Sequence, residues 1–120
     1  MNSLNRIIAG VAMTAAALCA GTASAQDVYP SRPIRLVVPF PPGGGTDTIS
    51  RVVATKLTET LKWSIVVDNR PGAGGNIGVD MAAKSPPDGY TIVMGQTSNL
   101  AVNPTLYAKL PYDPVKDLAP

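Results

Sequence analysis

Ile34-Arg35-Leu36-Val37-Val38-Pro39-Phe40-Pro41-Pro42-Gly43-Gly44-Gly45-Thr46-Asp47 reads, in order, as a strand, a loop and the first turn of a helix. Ile34 to Phe40 is a short β-branched, apolar run, which fits a strand buried on both faces, as in a parallel sheet. Pro39 cannot donate to a ladder and marks the strand's end. Pro41 to Gly45 is a loop on composition alone. Thr46 is expected to cap a helix, with Asp47 in its first turn, where the helix dipole favours negative charge. The spacing predicts a helix over Thr46 to Leu61, with Ile49, Val52, Val53, Leu57 and Leu61 on one apolar face.

The same alternation continues outward. Gln26 to Pro33 is an extended lead-in. Ile65 to Val67 is a second strand, Asp68 to Gly75 a second glycine-rich loop, and Asn76 to Lys84 a second helix. Ser85 to Gly89 is a turn. Tyr90 to Met94 is a third strand, followed by the small polar loop Gly95 to Asn99. Leu100 to Val102 reads as a helical turn, and Asn103-Pro104 as the cap and first residue of a short helix ending at Tyr107. Strand, loop and helix repeated in this way mean βαβ units, a parallel sheet and right-handed crossovers, an α/β fold. Each of the three loops follows a strand's carboxyl end, the edge where open α/β sheets bind ligands.

The N-terminus carries an address. Residues 1–6 are mostly polar and include Arg6, Ile7 to Ala20 is uncharged and mostly apolar, and Ala23-Ser24-Ala25 offers small residues at the positions a signal peptidase reads. This predicts a signal peptide over residues 1–25, cleaved after Ala25, and a periplasmic destination for residues 26–120. As a helix the apolar run rises about 21 Å, short of the roughly 30 Å hydrocarbon core, which argues against a retained anchor. The bulky Leu18 before Cys19 argues against lipid attachment at that cysteine.

Composition excludes several functions. Lys+Arg number 10 against 8 Asp+Glu. The basic residues are scattered, so no electrostatic case for nucleic acid exists. The chain has no His, and its one Cys lies in the signal segment. An imidazole base, a Ser-His-Asp triad, a thiolate nucleophile and a Cys or His metal site are thereby excluded. No Walker A lysine follows the first loop. Gly72 to Gly78 misses the dinucleotide spacing because Ile77 stands where glycine is needed. No cofactor and no metal are expected. An exported enzyme using Asp or Ser groups lacks a G-x-S-x-G elbow or a close acid–base pair.

Within the loops, Gly43 to Gly45 would free backbone amides beside a helix N-terminus, a place for phosphate, sulfate or carboxylate. A tight strand–helix turn would explain one such loop equally. Gln96, Thr97, Ser98 and Asn99 are neutral donors and acceptors suited to a small polar solute, or to a surface turn. Asp47 has a sufficient role in the helix dipole, yet could meet an ammonium, a hydroxyl or a water. Arg70 could clamp a carboxylate or form an ion pair with Asp68 or Asp80.

Five segments resemble the Bug (TctC-like) family, the solute receptors of tripartite tricarboxylate transporters. They are Y-P-S-R-P-I (29–34), V-P-F-P-P-G-G-G-T-D (38–47), N-R-P-G-A-G-G (69–75), P-D-G-Y-T (87–91) and N-P-T-L-Y (103–107) followed by L-P-Y-D-P (110–114). The resemblance implies a type II-like periplasmic binding protein whose two lobes close on a small organic carboxylate and hand it to membrane subunits. It implies ligand contacts from Phe40, Gly44, Gly45, Thr46 and Asp47, from Gly74 and Gly75, and from Gln96, Thr97, Ser98 and Asn99. It also implies that residues 26–120 form most of a first lobe, with the second lobe missing. Half a cleft, short of the roughly 8 kcal/mol of micromolar binding, should hold ligand at about millimolar strength or not at all. A ligand sensor feeding a signalling partner would share these features.

Overall fold

The computed structural model describes residues 28–120; the signal peptide expected over residues 1–25 lies outside the described residues. Strand β1 (Ile34–Val38) leads through the first glycine-rich loop into helix α1 (Gly45–Leu61). Strand β2 (Ile65–Asn69) leads through a 3-10 turn (Ala73–Gly75) into α2 (Asn76–Ala83). Strand β3 (Thr91–Val93) leads into a π-helical turn (Ser98–Val102) and the short α3 (Asn103–Leu106). The three strands form one parallel sheet in the order β2-β1-β3. β1 pairs Ile34 with Ile65 through Val38 with Asn69 on one side, and Arg35 with Thr91 through Val37 with Val93 on the other.

Being central, β1 is the buried strand: Ile34, Leu36, Val37 and Val38 are at most 3% exposed. Side chains alternate between the two faces of a strand. Leu36 and Val38 pack with Ala54 of α1, joined by Ile65, Val67 and Met94. On the opposite face Arg35 reaches Met81 of α2, while Gly78 of α2 sits so close to Pro39 that an added Cβ would meet it at 2.8 Å. Helices thus cover both faces, as a parallel sheet requires.

Helix α1 lies where its spacing predicts, but a different side of it faces the sheet. Its buried residues are Asp47, Ser50 and Ala54, whereas Ile49, Val52, Val53 and Leu61 are 40–64% exposed. Small side chains let the helix lie close to the sheet. Periodicity reveals an apolar stripe but not what covers it, and among the described residues nothing does. The cap also differs. Gly44 is the N-cap, with no side-chain bond, and Thr46 is already inside the helix. At the other end Lys62 stops α1 in the left-handed conformation, φ 60°.

The amino edge of the sheet is closed by aromatic residues. Tyr29 meets Trp63 edge-on at 5.9 Å and Tyr90 at 5.0 Å, and its hydroxyl donates to the Gly89 carbonyl at 2.8 Å. The Arg32 guanidinium lies 4.0 Å above the Tyr90 ring and pairs with Asp88 at 2.8 Å. This fastens the lead-in across the sheet end furthest from the glycine loops.

Candidate functional site

The carboxyl ends of the strands set where the three loops begin. The Val38 carbonyl accepts from the Arg70 N–H at 2.8 Å, and the Val37 carbonyl accepts from the Met94 N–H at 2.9 Å. The second and third loops therefore leave the sheet on either side of the first.

In the first loop, Pro41 to Gly45 is exposed. The first bond of α1 runs from the Thr48 N–H to the Gly44 carbonyl at 2.9 Å, so the amides of Gly45, Thr46 and Asp47 precede the helical ladder. Gly43 needs to be glycine, with φ +81°. Gly44 and Gly45 do not. Gly44 has φ −79°, a Cβ there would only touch the Pro41 carbonyl at 3.6 Å, and a Cβ at Gly45 would meet nothing within 4 Å. The fold tolerates side chains at both positions; their absence leaves the positive end of α1 bare.

In the second loop, Gly75 has φ +91°, and a Cβ there would come within 2.8 Å of Asn99 Nδ2 and 3.2 Å of Phe40 Cζ. Gly75 is therefore the meeting point of all three loops. Gly74 lies beside Tyr107 and Asn103, and its carbonyl is 3.4 Å from Asn103 Nδ2. In the third loop, Gln96 donates its side-chain amide to the Thr46 hydroxyl, and its N–H to Asn99 Oδ1 at 2.9 Å. Asn99 is fully buried, yet its Nδ2 and the buried Ser98 Oγ find no hydrogen-bond partner among the described residues. Thr97 is exposed.

The residues singled out in the sequence therefore gather at one edge, with two qualifications. Asp47 is 3% exposed and both its oxygens are engaged: Oδ2 accepts from the Gly43 N–H at 2.9 Å and from Arg51 Nε at 3.0 Å, and Oδ1 from Asn69 Nδ2 at 2.9 Å. These bonds, from Arg51, then Gly43, then Asn69, hold its carboxyl far below the usual carboxylate range. Arg70 is taken up at 3.0 Å by Asp68, which also holds Arg35 at 2.6 Å. Burial would raise the Asp68 pKa, but the bonds and charges of the two arginines outweigh it and hold it below its ordinary value.

Sequence reading missed the side chains that tie the loops together. Asn103 Nδ2 donates to Asn76 Oδ1 at 2.6 Å. The Tyr112 hydroxyl lies 3.0 Å from that same oxygen and 2.6 Å from the Asn99 carbonyl. Asn69 Nδ2 also reaches the Phe40 carbonyl at 3.0 Å. An amide side chain next to each glycine loop was the only local hint; the partners lie 13–36 residues away. Among the described residues no cluster of acidic or cysteine side chains could hold a metal, and no helix is long and apolar enough to cross a membrane.

A parallel α/β lobe that gathers two glycine-rich loops and neutral polar groups at its strands' carboxyl edge has the build of a solute-binding protein. Solved structures agree. The chain matches "periplasmic binding protein BugD" with TM-score 0.70 and 40% identity, covering 74% of this chain and 29% of that one. It matches MatC from Rhodopseudomonas palustris with bound malate at TM-score 0.70 and 37% identity (74% and 30% covered), and R. palustris Rpa4515 with adipate at TM-score 0.69 and 44% identity (72% and 29%). Among curated proteins it is 43% identical over 119 residues to BugT of Bordetella pertussis, covering 98% of this chain and 36% of that protein. It is 44% identical over 117 residues to the UPF0065 protein of the tcbD-tcbE intergenic region of Pseudomonas sp. (strain P51), covering 96% and 34%. The family model described as "Tripartite tricarboxylate transporter family receptor", TctC, matches residues 49–120, and the chain belongs to that family. It spans about a third of the length of the curated relatives it matches. The fold is that of part of a periplasmic binding protein, and the structural neighbours include a periplasmic transporter and periplasmic binding protein BugD.

Proposed function

We propose that residues 26–120 form a ligand-binding lobe that captures a small organic carboxylate in the periplasm, after removal of residues 1–25, and presents it to the membrane subunits of a tripartite transporter. The observation that carries this reading is the bare N-terminus of α1, where Gly44 and Gly45 are glycine although neither backbone nor neighbours require it. A carboxylate approaching those amides needs that open space, and the helix dipole favours its charge. The Asn99 amide and Ser98 hydroxyl, unpartnered among the described residues, with Thr46, Gly74, Gly75, Gln96, Thr97 and the Phe40 ring edge, would complete the contacts. Neutral donors hold an anion without an opposing charge, which suits reversible capture. The malate and adipate bound by two structural neighbours belong to the same chemical class. Among the described residues of the loops no group is arranged to break a bond, so the ligand should be released unchanged.

The test is an amide-resolved NMR titration of the 15N-labelled chain with malate, adipate and other mono-, di- and tricarboxylates. Saturable shifts at Gly44, Gly45, Gly75 and the Asn99 side chain support the proposal. Shifts confined to other surfaces would sink it, as would none with any carboxylate when the titration is carried well past the roughly millimolar range expected of half a cleft.

A further inference from the structure

Asn69 ends β2, opposite Val38 of β1, and from there it reaches both ends of the first glycine loop. Its Nδ2 donates to the Phe40 carbonyl before the loop at 3.0 Å and to Asp47 Oδ1 after it at 2.9 Å. Its Oδ1 accepts from an Arg51 terminal nitrogen at 3.1 Å. Arg51 returns its Nε to Asp47 Oδ2 at 3.0 Å, and that oxygen also receives the Gly43 N–H at 2.9 Å. Both Nδ2 hydrogens of Asn69 and both oxygens of Asp47 are thus engaged, which leaves Asn69 no spare donor, and Asp47 is only 3% exposed.

We propose that Asp47 and Asn69, backed by Arg51, are positioning residues that staple the first glycine loop to the end of β2 and so aim the Gly44 and Gly45 amides, without touching ligand themselves. The inference rests on the carboxylate-receptor reading for what the amides are aimed at. The loop Pro41 to Gly45 contains two prolines and three glycines, and its backbone makes two bonds with side chains: the Gly43 N–H donates to Asp47, and the Gly44 carbonyl accepts from the Thr48 hydroxyl within the first turn of α1. Left unpinned, its amides would have to be ordered at the moment of binding, which weakens affinity.

Donor counting makes the staple specific. In Asp47→Asn the new NH2 faces either the Asn69 NH2 or the Gly43 and Arg51 N–H groups, so donors collide in both orientations. In Asn69→Asp an oxygen faces Asp47 and the Phe40 carbonyl. Combining the two substitutions restores the bond between positions 47 and 69 and the Arg51 pairing, and leaves only the Phe40 carbonyl opposed.

The experiment measures amide hydrogen exchange and malate-induced shifts on the labelled chain. In the unaltered protein the Gly43 amide should be protected. In D47N and in N69D it should exchange at least tenfold faster, while the sheet amides of Ile34, Arg35 and Met94 keep their rates. Malate should bind at least tenfold more weakly in both variants, and D47N/N69D should recover part of each loss. Arg51→Met, at a half-exposed side chain, should fold normally and give a smaller loss of the same kind. Unchanged Gly43 protection in D47N overturns the proposal. So does equal loosening of loop and sheet in both D47N and R51M, or wild-type malate affinity in a variant whose loop has loosened. If malate and adipate leave the unaltered chain unmoved, the carboxylate reading fails, and the exchange rates still decide whether the staple sets the loop.

Discussion

Gly45 and Gly75 are the same residue type serving opposite ends. Gly75 is glycine for the fold, because its φ of +91° and the closeness of Asn99 and Phe40 leave no room for a methyl. Gly75→Ala should therefore destabilise the chain by at least about 1–2 kcal/mol, the usual cost of a left-handed backbone for an L-residue, seen as a lower urea midpoint. Gly45→Ala enters a helix terminus with open space around it and should leave the midpoint unchanged or slightly raised. Yet it should weaken carboxylate binding several-fold, because its methyl group stands where the ligand would approach. A Gly45→Ala variant with unaltered binding would contradict the assigned ligand position. Asp47 shows what local reading reaches and what it misses. Its place in a helix first turn is visible from its neighbours, but its role in holding Gly43 and Asn69 needs a partner 22 residues on.

At the level of elements, the strand–loop–helix order was legible because each segment carries its own signal: β-branched runs for strands, glycine and proline for loops, spacing for helices. α1 begins one residue before its expected start and ends at the expected Leu61. The inward face of α1 was not legible. Amphipathic spacing marks Ile49, Val52 and Val53, but the buried residues of the helix are Asp47, Ser50 and Ala54, and Ala54, whose small size sets the approach, packs on Leu36 and Val38. The cross-ties between elements were equally hidden, and Tyr112 is the clearest case. Its hydroxyl shares one proton between the Asn99 and Asn76 acceptors, and its ring is buried. Tyr112→Phe keeps the ring and leaves a buried carbonyl short of a donor, so it should cost about 1–3 kcal/mol in urea unfolding. It should also loosen the Ser98–Val102 turn in hydrogen exchange. A cost near zero would mean that water replaces the hydroxyl.

For the molecule as a whole, charge is organised around carboxylates that are more acidic when folded. Asp47 and Asp68 are both lowered from 3.8 by their arginine and amide partners. The folded chain therefore binds fewer protons than the unfolded one in the acid range. This stability is complete above the ordinary value and is lost as pH falls through the folded values. Urea midpoints should hold steady from about pH 7 to 5 and drop progressively below about pH 4. A flat profile down to about pH 2 would mean that the two carboxylates have no folded-state advantage.

The chain's one tryptophan, Trp63, belongs to the aromatic closure at the amino edge, next to Ser64, whose carbonyl takes the Ile34 N–H at 2.8 Å. A five-residue strand separates that edge from the glycine loops, roughly 17 Å of chain. Its intrinsic fluorescence is thus a faithful reporter of unfolding and a poor one of occupancy. A ligand screen read only by tryptophan emission would return silence from a protein whose binding loops were full.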